Sequence, residues 1–239
     1  MDKRLAELMA TNPPVPLVGR LGEIRRLVAA MNARRSQLIV GPPGSGKTRL
    51  VREALRLAQQ PSVTVRWPGV LHELLMGLAE KLGTIPKRSS SLNLKIAVLN
   101  ALQRDPCCVI LENAADAEPR VYRFLQHVFY VPRVCLIVTA RSKDGLGHLG
   151  KLFFDPRERI SLPSLTPTQA RKLFDLAALV YQLNDLSLEE FRAKALAAAE
   201  GNPGHIVTMC RLAARPEYRH DGYIKFLPLR MDALCTMTR

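Results

Sequence analysis

Eight residues, Gly41-Pro42-Pro43-Gly44-Ser45-Gly46-Lys47-Thr48, restrict this chain more than any other segment. They follow a short apolar run, Gln37 to Val40, and precede a stretch in which Leu50, Val51, Ala54, Leu55 and Ala58 share one side. That spacing predicts strand, loop, helix. Glycine lets backbone amides approach an anion with no Cβ in the way. The N-terminus of the following helix adds oriented N–H donors and a partial positive charge. In this context the pattern G-x-x-x-x-G-K-[ST] is a phosphate cradle, with Lys47 directed at the β and γ phosphates of a nucleotide and the Thr48 hydroxyl at Mg²⁺. The bare pattern also arises as a ligand-free glycine-rich turn, but here both flanking elements are present. The expected ligands are ATP and Mg²⁺, contacted by Gly41, Pro42, Pro43, Gly44, Ser45, Gly46, Lys47, Thr48 and Arg49.

The rest of the chain alternates strand and helix up to about residue 165. Val63–Trp67, Cys107–Leu111, Val134–Thr139 and Ile160–Leu162 read as further strands. Cys107–Leu111 and Val134–Thr139 are almost wholly apolar, as strands covered on both faces are. Helical spacing marks 2–10, 21–34, 71–82, 94–102 and 120–128, and after residue 166 only helices, at 168–181, 188–200 and 203–214. The expected fold class is α/β: a P-loop NTPase with a central parallel five-stranded sheet flanked by helices, plus a C-terminal all-helical lid. The expected division is 1–165, with a helical extension at 1–14, and 166–239.

A cradle of this kind needs a carboxylate at a neighbouring strand tip to hold the Mg²⁺ shell. Glu112 ends the run Val109-Ile110-Leu111 where that acid belongs, so Thr48 and Glu112 are the expected metal ligands. The usual pair is Asp followed by Asp or Glu, whose second member polarises the attacking water. Here Asn113 follows, which can orient a water but not accept its proton; Asp116 and Glu118 are nearby substitutes. The alternative is that Glu112 only caps its strand. Slow hydrolysis is expected, with Lys47, Glu112, Asn113 and Arg141 as catalytic candidates. Thr139 or Arg141, at the end of the next strand, could sense the γ-phosphate, or Arg141 could be a plain surface residue.

The net charge of +14 favours polyanionic partners, nucleic acid among them. It also fits a basic solubility surface or an acidic protein partner. Arg49, Arg52 and Arg56 recur at helical spacing and form either a phosphate-binding face or a solvated one; Arg211, Arg215, Arg219 and Lys225 form a second group. Aromatic residues are only 5%, which disfavours stacking on single-stranded bases. Five cysteines without a CxxC spacing suggest neither a disulfide framework nor zinc; Cys107, Cys108 and Cys135 read as small core residues. No apolar run reaches 18 residues and the N-terminus is charged, so no membrane span and a cytoplasmic location are expected.

The order of motifs resembles the AAA+ superfamily, and within it the initiator, transposition-regulator and STAND-type branches. Leu17-Val18-Gly19-Arg20 with Glu23 looks like their GR-x-x-E box, in which Val18 flanks the adenine. The helix at 71–82, ending Leu-Gly, is similar to the transposition ATPase pattern. Val138-Thr139-Ala140-Arg141 is similar to the STAND sensor strand, and Ile160 to Thr166 with Gln169-Ala170 to the junction into the lid. Glu200-Gly201-Asn202-Pro203-Gly204 resembles the Gly-x-Pro box, which places Pro203 at the base. The resemblance covers roughly 15–214. It implies a homo-oligomer in the ATP state and an arginine finger from a neighbouring subunit, for which Arg157 and Arg159 are candidates, each equally readable as a solvated surface residue. His205 either faces the nucleotide or packs. The 25 residues after Ala214 are too few for the winged-helix domain such proteins usually carry, so output is expected through self-assembly or a protein partner.

Three function classes remain open at this level. One is a DNA-associated ATPase regulating transposition, recombination or initiation. The second is a STAND-like switch acting through protein contacts. The third, a small-molecule P-loop kinase, fits less well with the helical tail.

Overall fold

The computed structural model describes residues 15–183 and 188–238; the helix expected at 2–10 lies outside them. The chain divides into two compact units. One comprises Leu21–Pro42 and Lys47–Leu162; the other comprises Met1–Arg20, Pro43–Gly46 and Pro163–Arg239.

In the first unit the described elements are α1 (Leu21–Asn32), β1 (Gln37–Val40), α2 (Lys47–Ala58), β2 (Ser62–Arg66), α3 (Leu71–Lys81), α4 (Ser91–Arg104), β3 (Cys108–Ala114), α5 (Pro119–Phe129), β4 (Cys135–Ala140) and β5 (Arg159–Ser161). Two 3-10 segments, Asp144–Phe153 and Pro156–Glu158, join β4 to β5. The sheet order is β2-β3-β4-β1-β5, every pairing parallel. β1 sits between β4 and β5, so the loop that follows it emerges from the sheet interior. Side chains alternate across a strand. One face puts Leu38, Val109, Leu111, Leu136 and Val138 into a core with residues of α3, α4 and α5, such as Leu78, Val98 and Phe124. On the alternate positions Ile39, Ile110 and Ile137 are equally buried. Burial of both faces is why β3 and β4 read as unbroken apolar runs. α3 stops where Gly83 takes φ +64 and Thr84 N–H reaches back to the Ala79 carbonyl at 2.8 Å, the glycine-terminated closure its sequence indicates.

The second unit contains α6 (Pro167–Val180), α7 (Leu188–Ala199), α8 (Pro203–Ala213), β6 (Arg219–His220), β7 (Tyr223–Ile224) and α9 (Phe226–Thr238). Thr166 opens α6 with a capping box: its hydroxyl accepts from Gln169 N–H at 3.3 Å, and the Gln169 side chain accepts from Thr166 N–H at 3.0 Å. Phe174, Phe191, Ile206, Met209 and Leu229 form the core with Val15. The region is helical as expected, with one addition. Asp221 and Gly222, at φ +45 and +80, turn an antiparallel pair between β6 and β7. Two consecutive residues with positive φ make the tight turn that matches strand twist.

Candidate functional site

The parallel register places the C-terminal ends of β1, β3 and β4 along one edge. Val40 lies beside Ala140, and Ala114 beside Ala140. Gly41 N–H continues the ladder to the Ala140 carbonyl at 3.3 Å. Gly41 and Arg141 therefore leave the sheet at this edge, with Asn113 in the last residues of β3 beside them, where an open parallel sheet accepts ligands.

Gly44 and Gly46 hold φ +78 and +94, so both glycines are required by conformation. A Cβ on Gly46 would meet nothing within 4 Å, which leaves open space beside its amide. The Ser45 hydroxyl is buried with no hydrogen-bond partner among the described residues. An unsatisfied buried hydroxyl is costly unless a ligand completes it. The Lys47 ammonium donates to the carbonyls of Gly41 at 2.7 Å and Pro42 at 2.9 Å. Burial lowers its pKa, and the neighbouring Arg141 guanidinium lowers it further. No salt bridge to Lys47 occurs among the described residues. Two mutually repelling cations without a carboxylate between them form a site that an anion would stabilise.

At the β3 tip Glu112 is half-buried and its carbonyl accepts from Trp67 N–H at 2.8 Å. A register shift follows Leu111, and Asn113 takes φ +58. Its N–H donates to Thr139 Oγ1 at 2.9 Å, while its side chain is exposed. Thr139 is fully buried, so of the two sensor candidates only Arg141 is exposed. Thr48 and Glu112 supply the hydroxyl and carboxylate oxygens that suit Mg²⁺.

In the second unit the Pro43–Gly46 segment is held by the start of α8. Asn202 caps that helix by accepting from Gly204 N–H at 3.0 Å and His205 N–H at 3.4 Å. Its amide also donates to the Pro43 carbonyl at 2.8 Å, and Gly204 N–H reaches the Gly44 carbonyl at 2.9 Å. A Cβ at Gly204 would lie 2.7 Å from Gly44 Cα, so only glycine fits without displacement. Pro203 is thereby placed beside the loop. Arg20 of the GR-x-x-E box is buried and donates to the Pro163 carbonyl, and a Cβ on Gly19 would meet Gln169. Val18 packs partly buried against the same core.

Residues 16–137, just over half of the chain, match the AAA ATPase domain family. The chain belongs to this family. Several solved structures share the fold of this AAA ATPase. A STAND protein (Signal Transduction ATPase with Numerous Domains) with a tetratricopeptide repeat sensor from Pyrococcus horikoshii aligns at 18% identity and TM-score 0.55. The alignment covers 96% of this chain and 34% of that one. The Holliday junction branch migration motor RuvB of Thermotoga maritima aligns at 15% and 0.59, covering 93% and 72%. A Walker-type ATPase of Pyrococcus abyssi aligns at 14% and 0.60, covering 84% and 69%. The chain thus spans about a third of the length of the STAND protein. No curated protein sequence matches it.

The finger candidates of this AAA ATPase differ. Arg157 is 86% exposed and chelated by Asp155, with Nη2 2.8 Å from Oδ2. Arg159 spends its guanidinium on the carbonyls of Phe153, at 2.9 Å, and Phe154. Arg157 can swing free at the cost of one exposed, solvent-screened ion pair; Arg159 would uncap two carbonyls. In the α2 group, Arg56 pairs with Glu53 at 2.7 Å, so the arginine face carries an acid within it. Arg215 similarly pairs with Glu217 at 3.3 Å. Burial lowers the pKa of His205 on α8, with Glu200 opposing. No helix among the described residues is long and apolar enough to cross a membrane.

Asn202 and Gly204 carry no individual role that sequence alone points to. The Asn-Pro pair is nevertheless a helix-start signal, with the cap followed by proline at the first turn.

Proposed function

We propose that this chain binds ATP with Mg²⁺ at the 41–48 loop, hydrolyses it slowly, and uses the cycle to self-assemble and regulate a DNA-associated machine of transposition, recombination or initiation type, in the cytoplasm. The observation that carries the reading is the Lys47 ammonium, which among the described residues bonds to the Gly41 and Pro42 carbonyls and is repelled by Arg141. A triphosphate supplies the missing negative charge. Residues 1–165 form the nucleotide-binding module and 166–239 the lid. Gly41, Pro42 and Pro43 line the loop, and Gly44, Ser45 and Gly46 offer backbone N–H groups, with Arg49 behind them. Val18 and Pro203 flank the base; Thr48 and Glu112 hold Mg²⁺. Bound there, Mg²⁺ supplies neutralisation of charge on the β and γ oxygens. Asn113 orients water, Arg141 reads the γ-phosphate, and Arg157 completes a neighbour's site.

The net charge of +14 supports the DNA part. RuvB, a Holliday junction motor, shares the fold. A protein partner receives the output. The second reading, a STAND-like switch working through proteins, is favoured by Asn113 standing where a base is needed.

Mobility shift of duplex DNA across a salt series, with ATP or ADP, alongside size exclusion in each nucleotide, tests the reading. DNA affinity falling steeply between about 50 and 200 mM salt, together with an ATP-dependent larger species, is expected. Absence of a shift below about 100 mM salt removes DNA and leaves the switch. Identical elution with and without ATP removes self-assembly.

A further inference from the structure

At the edge of the sheet opposite the loop, β3 and β4 begin with a matched pair of thiols. Cys108 and Cys135 are register partners, both fully buried, with Sγ atoms 2.7 Å apart. Neighbouring strands lie about 4.8 Å apart, within the Cα separation a disulfide spans. Cys107 belongs to the core on the other face of the sheet, so alternation leaves it out of the pair. No metal-binding group of His, Cys, Asp and Glu forms among the described residues.

The second observation is a cation. Arg34, in the turn between α1 and β1, holds φ +52, and its Nη1 is buried without a hydrogen-bond partner among the described residues. Its charge acts on the Cys107, Cys108 and Cys135 thiols. No carboxylate is paired with it in the described structure. A buried guanidinium beside thiols favours thiolate. The Cys135 thiol donates a hydrogen bond to Cys108, which lowers the Cys108 pKa; burial opposes, and Arg34 lowers it further. Cys135, as the donor, is shifted upward. This assigns Cys108 as nucleophile and Cys135 as resolving thiol. Arg34 is only half-buried and its neighbours Ala33 and Arg35 are exposed, so the pair lies one side chain from solvent.

We propose that Cys108 and Cys135 form a redox site that a small peroxide converts to an intramolecular disulfide. The Cys108 sulfur attacks one peroxide oxygen and the O–O bond breaks. Sulfur keeps one hydroxyl as the sulfenic acid, and the other leaves with the thiol's proton as water. The Cys135 sulfur then attacks the Cys108 sulfur. The S–S bond forms, the S–O bond breaks, and the hydroxyl leaves with the Cys135 proton as a second water. The two thiols lose two electrons and the peroxide gains them. The product pins β3 to β4 at the ends remote from Glu112 and Arg141 and closes a loop between positions 27 apart in sequence. Such a crosslink constrains the unfolded chain.

The test treats the reduced full chain with hydrogen peroxide and maps disulfides by mass spectrometry of a non-reducing digest. A 108–135 crosslink, reversed by dithiothreitol and raising the thermal midpoint, is expected. It is lost in Cys108→Ser and in Cys135→Ser and retained in Cys107→Ser and Cys235→Ser. Arg34→Gln slows its formation and moves the pH profile upward. The wild-type digest decides the matter even if a variant misfolds. Absence of the crosslink when exposed Cys235 is fully oxidised overturns the proposal, as does a crosslink that forms only in urea or one indifferent to Arg34 at every pH.

Discussion

The loop after β1 and the tip of β3 leave the same edge of one sheet, yet one matches the nucleotide-binding pattern throughout and the other departs from it. In the loop every special feature points the same way: positive φ at Gly44 and Gly46 and, among the described residues, a Ser45 hydroxyl without a hydrogen-bond partner and a lysine without an acid partner. At the β3 tip Glu112 stands where a metal-shell carboxylate belongs, but the next position holds an amide. Asn113 sits in left-handed backbone and ties its N–H to Thr139. In the proposed function grip and turnover are therefore separable: binding would rest on backbone geometry, and hydrolysis on a position whose side chain cannot take a proton.

The sharpest way to probe this contrast is Asn113→Asp. Aspartate tolerates positive φ better than glutamate does, and a positioned general base contributes about 100-fold or more. ATP turnover measured by phosphate release is expected to rise on that scale with nucleotide affinity unchanged. An unchanged rate means that another residue orients the water. Arg141→Ala comes next: preference for ATP over ADP, measured by competition, is expected to fall roughly tenfold, the worth of one charge-assisted bond. Gly204→Ala forces a Cβ against Gly44 backbone, and overpacking of this kind costs about 1 kcal/mol or more. A lowered thermal midpoint with weakened ATP binding is expected, and a silent variant breaks the link drawn between α8 and the loop. The smallest effect is at His205. Its pKa is lowered from 6.5 by burial, so the folded state prefers the neutral ring. That contribution is complete above the unfolded value and is lost as pH falls through the folded one. Denaturant midpoints are expected to decline below about pH 6.5, less so in His205→Gln.

The sheet was legible because its strands carry their own signal. Val109-Ile110-Leu111 and Leu136-Ile137-Val138 are apolar on both faces, and Gly83 and Thr166-Pro167 mark helix ends by local chemistry. The β6–β7 turn was equally local, written as Asp221-Gly222, but strands of two residues fall below any hydrophobic period. The loop could be read from spacing alone. The rest could not, because it depends on contacts distant in sequence. Thr139 serving the Asn113 amide and Asn202 holding the Pro43 carbonyl each follow from how the chain folds back on itself. The Cys108–Cys135 pairing likewise depends on strand register, which cysteine spacing does not encode.

Calorimetric titration of ATP with magnesium into the wild type and into Lys47→Ala addresses the central claim directly. The account predicts saturable binding by the wild type and its loss in the variant, with circular dichroism unchanged. A wild type that stays silent at millimolar ATP, or a variant that binds as tightly, would contradict it.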